Sequence, residues 1–203
     1  MTTILIGTTN PDKLREMTFV LRDLPVTLRP LGLHPDLPVP EEDGDTYLAN
    51  ARLKATYYAR LTGWPTVGED SGFEIDALGG EPGVRSARFL DPRATYPERF
   101  DEIYRRLAAG AAETRAARFV SAVVLAMPDR VVFETTRTVE GVVAPEPRGS
   151  RGFGYDPILL VPSLGRTLGE LDEAEKCLIS HRGKAVRALR PVLEALTGGT
   201  ARA

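Results

Sequence analysis

The chain has 203 residues, 42% of them hydrophobic and 27% charged, with a formal net charge of −2. This balance fits one globular domain or a compact two-lobed unit with a sizeable core, and the slight acidic excess argues against a nucleic-acid binder, which carries a basic surplus. One cysteine excludes an intramolecular disulfide and cannot build a zinc site alone; no apolar run reaches the ~18 residues of a membrane span, and with no signal peptide before the first strand the expected location is the cytoplasm.

The chain opens on an apolar stretch, Thr3 to Gly7, followed by the polar loop Thr8-Thr9-Asn10-Pro11-Asp12-Lys13. A strand is predicted near 3–8 and a helix near 12–23, because Leu14, Met17, Leu21 and Leu24 recur at helical spacing. A strand–loop–helix entry aims backbone N–H groups and the positive end of a helix dipole at the loop, where anions bind. Lys13 adds a mobile positive charge in the first turn. This is not a P-loop, because its second glycine and the Ser or Thr after the lysine are missing. A strand near 26–30 precedes the acidic loop Glu41-Glu42-Asp43-Gly44-Asp45, which taken alone reads as solvated, and a helix near 46–62 that carries Lys54. A short strand at 65–68 then runs into Glu69-Asp70 and a Ser71-Gly72 turn, and a second strand at 73–78 alternates Phe73, Ile75 and Ala77 with Glu74 and Asp76. Carboxylates at a strand end can meet a hard cation and a polyphosphate; Mg²⁺ takes one or two carboxylates plus phosphate oxygens and water.

Thr95-Tyr96-Pro97-Glu98 forms a capping box with proline in the first turn and starts a helix over 96–109. Strands at 116–127 and 131–143 flank Pro128-Asp129-Arg130 as a long hairpin. A strand at 157–161 and helices at 168–179 and 182–197 complete the order, with Thr167-Leu168-Gly169-Glu170 as a second capping signal. Pro191 is expected to kink or split the last helix. The β-α-β-α-β opening followed by a hairpin predicts an α/β fold, a mixed sheet with helices packed on it. Within the last third, Gly152-Phe153-Gly154-Tyr155-Asp156-Pro157 is followed by Glu175-Lys176 and Ile179-Ser180-His181-Arg182-Gly183. Aromatic faces can hold a flat base, Lys and Arg can hold phosphates, and glycines let backbone approach a ligand. Together these stretches read as a nucleotide pocket.

Five segments, Thr8–Lys13, Glu41–Ala55, Glu69–Phe89, Gly152–Pro157 and Glu175–Gly183, resemble the inosine triphosphate pyrophosphatase (Ham1-like) family, which hydrolyses non-standard purine nucleoside triphosphates such as ITP, dITP and XTP. Thr9 and Asp12 stand where that family usually has glycines, Ala49 where it has glutamate, and Cys177 where it has a small polar residue. The resemblance implies one domain over residues 1–203 with an elongated mixed sheet, helices on it, and two lobes about a central cleft. It also implies a homodimer, Mg²⁺ as cofactor, a purine nucleoside triphosphate as substrate, and neither nucleic acid nor membrane as partner. Ser71 has no evident histidine base, so direct attack of water on the α-phosphorus is the simpler chemistry. The roles that follow make Asp70 the carboxylate that positions or deprotonates water and also touches the metal, with Glu41 or Glu42 as the second metal contact. Thr8, Thr9, Asn10, Pro11, Asp12 and Lys13 hold phosphates, Lys54 is a further phosphate candidate, and Ser71 donates to the ligand. Phe153 and Tyr155 line the base slot beside Gly154, Asp156 and His181 read polar edges, and Lys176 and Arg182 bind phosphate or the base edge. Two alternatives stay open: a pyrophosphatase for pyrimidine or methylated nucleotides, against which the Ile179–Gly183 segment speaks, and a nucleotide-binding module with weak chemistry, against which Asp70 and the acidic loop speak.

Overall fold

The computed structural model describes residues 2–110 and 114–198. Eight strands form one sheet among the described residues: β1 (Thr2–Ile6), β2 (Val26–Pro30), β3 (Thr66–Ile75), β4 (Pro82–Gly83), β5 (Ala116–Ala126), β6 (Val131–Val143), β7 (Leu159–Val161) and β8 (Arg166–Thr167). Their order is β2-β1-β3-β5-β6-β7-β8, with β4 paired on β3. β1 runs parallel to β2 and β3, whereas β4 is antiparallel to β3 and β7 is antiparallel to β6 and β8, so the sheet is mixed as expected. Helices α1 (Pro11–Leu21), α2 (Tyr47–Thr62), α3 (Tyr96–Ala109), α4 (Glu173–Ile179) and α5 (His181–Gly198) flank it. None of the described helices is long and apolar enough to cross a membrane.

Four local expectations change. The strand expected over 73–78 ends at Ile75, and Asp76–Leu78 form a 3₁₀ turn. The Ser71-Gly72 pair is no turn, because β3 runs through it as one strand. The chain reverses later, where glycines supply positive φ at Gly79 (65°) and Gly80 (88°). The helix expected over 168–179 divides into a 3₁₀ turn, Leu168–Glu170, and α4. Each piece has its own capping box, Thr167 with Glu170 and Asp172 with Glu175; the second N-cap restarts the helix. Pro191 lies inside α5 without dividing it.

The chain forms two compact units: Met1–Asp70, Ser121–Arg137 and His181–Ala203 make one, and Ser71–Val120 with Thr138–Ser180 make the other. In the first unit, β1 is buried on both faces. Ile4 and Ile6 join Met17, Leu21, Val67, Val123, Leu125, Val186 and Leu189, while Leu5 points the other way to Leu31 and Tyr58. α2 packs tightly on β3 at Gly68: a Cβ there would lie 2.2 Å from the Ala51 carbonyl oxygen and 2.7 Å from the Ala55 nitrogen. That bare contact brings the α2 residues Asn50 and Lys54 up to Asp70. The second unit is cored by Phe73, Ile75, Phe100, Ile103, Phe119, Tyr155 and Ile158.

Candidate active site

In the first unit, Glu69 and Asp70 are consecutive on β3, so their side chains leave the strand on opposite faces. Each meets a different set of cations. Lys13 Nζ, from the first turn of α1, lies 2.9 Å from Glu69 Oε2. Glu69 Oε1 accepts from the Ser121 hydroxyl at 2.9 Å and from Arg182 Nε at 3.1 Å. Arg182 Nη1 continues to Glu16 Oε2 at 2.5 Å. Burial alone would push the Glu69 carboxyl up; the charges of Arg182 and Lys13 outweigh it and hold the group well below the usual carboxylate range.

Asp70 shows the opposite balance. Its Oδ1 is 3.5 Å from Lys54 Nζ and its Oδ2 accepts from Asn50 Nδ2 at 3.1 Å. Burial outweighs Lys54 and Lys13, so its pKa is raised. Lys54 Nζ also reaches Glu42 Oε2 at 2.5 Å. Of the two glutamates considered as the second metal contact, Glu42 therefore reaches this group, whereas Glu41 is exposed on the loop. Among the described residues no group of three or more His, Cys, Asp and Glu could hold a metal ion. Glu42 and Asp70 converge on one ammonium, and a carboxylate pair of this kind is the oxygen donor set that a hard divalent cation would take.

The Thr8–Lys13 loop differs from its expected form. Asn10 is the N-cap of α1, and its Oδ1 accepts the N–H groups of Asp12 at 2.9 Å and Lys13 at 3.2 Å. The Asn10 N–H donates to Thr8 Oγ1, the Thr8 N–H to the Ile6 carbonyl, and Pro11 has no N–H. Most backbone donors assigned to a phosphate are therefore used within the protein, and Lys13 is the loop's cationic candidate. Asp12 is paired with Arg15 at 2.8 Å, which offsets its charge.

In the second unit, Gly152 takes φ 72°, and a Cβ there would lie 2.1 Å from Asp156 Oδ2. The bare turn lets the buried Asp156 carboxylate close on the Phe153 N–H at 2.7 Å and on Lys176 Nζ at 2.5 Å. The same ammonium lies 4.7 Å from the centroid of the half-buried Phe153 ring. Gly154 has φ 67°, and a Cβ there would touch the Tyr96 hydroxyl at 3.6 Å. Ser71 is half-buried on β3.

Two assigned residues are engaged inside the protein. Tyr155 is in the core: its ring stacks on Phe73 with centroids 5.2 Å apart, and its hydroxyl donates to the Ser86 carbonyl at 2.9 Å. Burial pushes its pKa up. Its aromatic face is thus taken by the protein, leaving Phe153 as the outer ring of the motif. Arg182 is fully buried, with its guanidinium shared between Glu16 and Glu69. His181 is buried at the start of α5. Conversely, the motif reading gave no role to Glu16 or Asn50, and Glu69 entered it only as one of the two adjacent carboxylates at the strand end. Glu16 was detectable as a charge on the buried stripe of α1, three residues from Lys13 and beside Met17.

The family model described as the Ham1 family matches residues 4–192. A dITP/XTP pyrophosphatase from Thermus thermophilus is 47% identical over 196 residues, which is 97% of this chain and 92% of that protein. The solved HAM1 protein from Coxiella burnetii shares the fold with a TM-score of 0.88 at 40% identity, covering 95% of this chain and 98% of its own. The Ham1 protein of Staphylococcus aureus gives 0.83 at 33% identity, over 96% and 99% of the two chains.

Proposed function

The chain belongs to the Ham1 family, and from that premise we propose that it is a nucleoside-triphosphate pyrophosphatase that cleaves ITP, dITP and XTP to the monophosphate and pyrophosphate. The observation that carries this reading is the consecutive pair Glu69-Asp70: one carboxylate is locked to Lys13 and Arg182, and the other is buried with a raised pKa beside Lys54. A carboxylate with increased proton affinity is a better base for water than an exposed one. Asp70 positions the attacking water and takes its proton. Lys13 and Lys54 offer positive charge to the phosphates. Glu42 and Asp70 are the residues that would hold Mg²⁺, which when bound neutralises phosphate charge. In the other unit, the Phe153 ring supplies a stacking face, and Lys176, fixed by Asp156, supplies a donor for the 6-oxo group of inosine or xanthosine.

On this reading the two units serve one domain activity of a cytoplasmic homodimer that cleanses the nucleotide pool, keeping deaminated bases out of DNA and RNA. The test is product analysis with ITP and Mg²⁺. IMP and pyrophosphate are expected, with ¹⁸O from labelled water in the IMP. IDP and orthophosphate, or label in pyrophosphate, would overturn attack at the α-phosphorus.

A further inference from the structure

The Asn50 side chain, 2% exposed in the first turn of α2, is held at three points. Its Oδ1 accepts the Gly44 N–H at 2.9 Å, and its Nδ2 donates to the Gly44 carbonyl at 3.3 Å and to Asp70 Oδ2 at 3.1 Å. The partners fix the orientation of the amide: an N–H must face the oxygen, and a carboxylate must face the NH₂. Both Nδ2 hydrogens are therefore engaged. Gly44 is matched to this arrangement, since a Cβ there would lie 2.6 Å from Asn50 Oδ1. One planar amide ties the acidic loop that carries Glu42 to the carboxylate of Asp70. It also makes the two oxygens of Asp70 unequal, with Oδ2 turned to Asn50 and Oδ1 turned to Lys54.

We infer that Asn50 is a positioning residue for hydrolysis, holding Asp70 so that Oδ1 is the oxygen that receives the proton of water, and holding the Glu42 loop beside it. The inference rests on the role proposed for Asp70. In the step it serves, the water O–H bond breaks and its proton passes to Oδ1, the new P–O bond forms at the α-phosphorus, and the α–β bridging oxygen leaves with pyrophosphate. An amide is needed at position 50: aspartate would set a like charge about 3 Å from Asp70, and alanine would release the loop and the base together.

The test compares Asn50→Asp, Asn50→Ala, Gly44→Ala and Asp70→Asn by kcat, KM and urea midpoint with ITP and Mg²⁺, and by amide hydrogen exchange at Gly44. Asn50→Asp keeps an acceptor for the Gly44 N–H, so that amide stays protected. Its kcat should nevertheless fall by on the order of 10–10²-fold, the scale of a misplaced catalytic group, with KM little changed. Asn50→Ala should lower kcat as much or more and speed Gly44 exchange. Gly44→Ala, which displaces the amide while leaving Asn50 in the chain, should lower kcat in the same direction. Added to Asp70→Asn, Asn50→Ala should lower kcat no further, because both act on one group. Values of kcat within about twofold of the parent for Asn50→Asp and Gly44→Ala, or full additivity in the double variant, would overturn the inference, and these variants decide it if Asn50→Ala does not fold. An inactive Asp70→Asn beside normal Asn50 variants overturns the inference alone; an active Asp70→Asn overturns the role of Asp70 with it.

Discussion

The unit that carries Lys13 and the unit that carries Lys176 bury different materials. In the first, Glu16, Glu69, Asp70, Lys54 and Arg182 are all buried, and their charges are satisfied by one another. In the second, Phe73, Phe100, Phe119 and Tyr155 pack ring against ring, and its proposed site residues include the buried ion pair of Asp156 with Lys176. Apolar packing tolerates change roughly in proportion to the volume lost. A buried charge network does not, because removing one member strands its partners in low dielectric. On the proposed reading the hydrolytic step rests on the less forgiving of the two interiors, and the pH response of the protein should come from it.

The largest effect expected is on stability. Arg182→Ala leaves Glu16 and Glu69 buried without their shared cation and should cost about 3–5 kcal/mol, read by urea denaturation at neutral pH. The sign with pH follows from Glu69. Its folded pKa is depressed below its ordinary 4.5, so its contribution is present above that value and is lost as pH falls. The gap between parent and variant should narrow on acidification; a gap that stays constant would mean that packing, not charge, was removed.

Asp70→Asn comes next and separates activity from stability. Its kcat should drop by at least about 10²-fold, or roughly 2.7 kcal/mol on the barrier. Asp70 is the exception within the charge network: Lys54 keeps Glu42 as its partner, so the fold should be unharmed or stabilised. The Asp70 pKa is raised in the folded state, so its ionisation weakens folding as pH rises through that value, and asparagine removes this cost. Activity within a few-fold of the parent would end the assignment.

On the proposed reading, base selectivity belongs to the other unit. A 6-oxo purine would accept from Lys176 Nζ, whereas the 6-amino group of ATP cannot, which forgoes a charge-assisted hydrogen bond of about 1.5–3 kcal/mol. With a second mismatch, kcat/KM should favour ITP over ATP by about 10²-fold. Equal values would remove Phe153, Asp156 and Lys176 from base recognition. Smallest is Tyr155→Phe, which deletes one hydrogen bond to the Ser86 carbonyl and should cost about 1 kcal/mol, with KM for ITP unchanged. A large rise in KM would return Tyr155 to the base slot.

Much of the fold could be read from local chemistry. The Thr95–Glu98 box starts α3 where it is expected, and the hairpin of β5 and β6 closes at Met127, whose N–H donates to the Arg130 carbonyl at 2.8 Å. What failed locally was Ser71-Gly72, since a Ser-Gly pair has turn chemistry but an extended strand accepts it equally well. Candidate site residues could be found by type but not by orientation. Nothing near Tyr155 in the chain reveals that its face is covered by Phe73, and Glu16 meets Arg182 across 166 positions. Such pairings depend on tertiary packing, which spacing cannot encode. Asn50 belongs to the same class, because its partners are a backbone amide in a loop and a carboxylate twenty positions on.

The pairing of Lys13 with Glu69, of Lys54 with Glu42 and Asp70, of Arg182 with Glu16 and of Lys176 with Asp156 also bears on how the protein behaves in a crowded cell. Bare cations would collect any passing polyanion, and ordinary nucleotides and inorganic phosphates are the commonest anions such a protein meets. Within each unit, positive charges already answered by neighbouring carboxylates present little field to bystanders. Only a ligand that brings enough contacts at once can displace those internal partners. On the proposed reading, such pairing would keep background occupancy by abundant phosphates low.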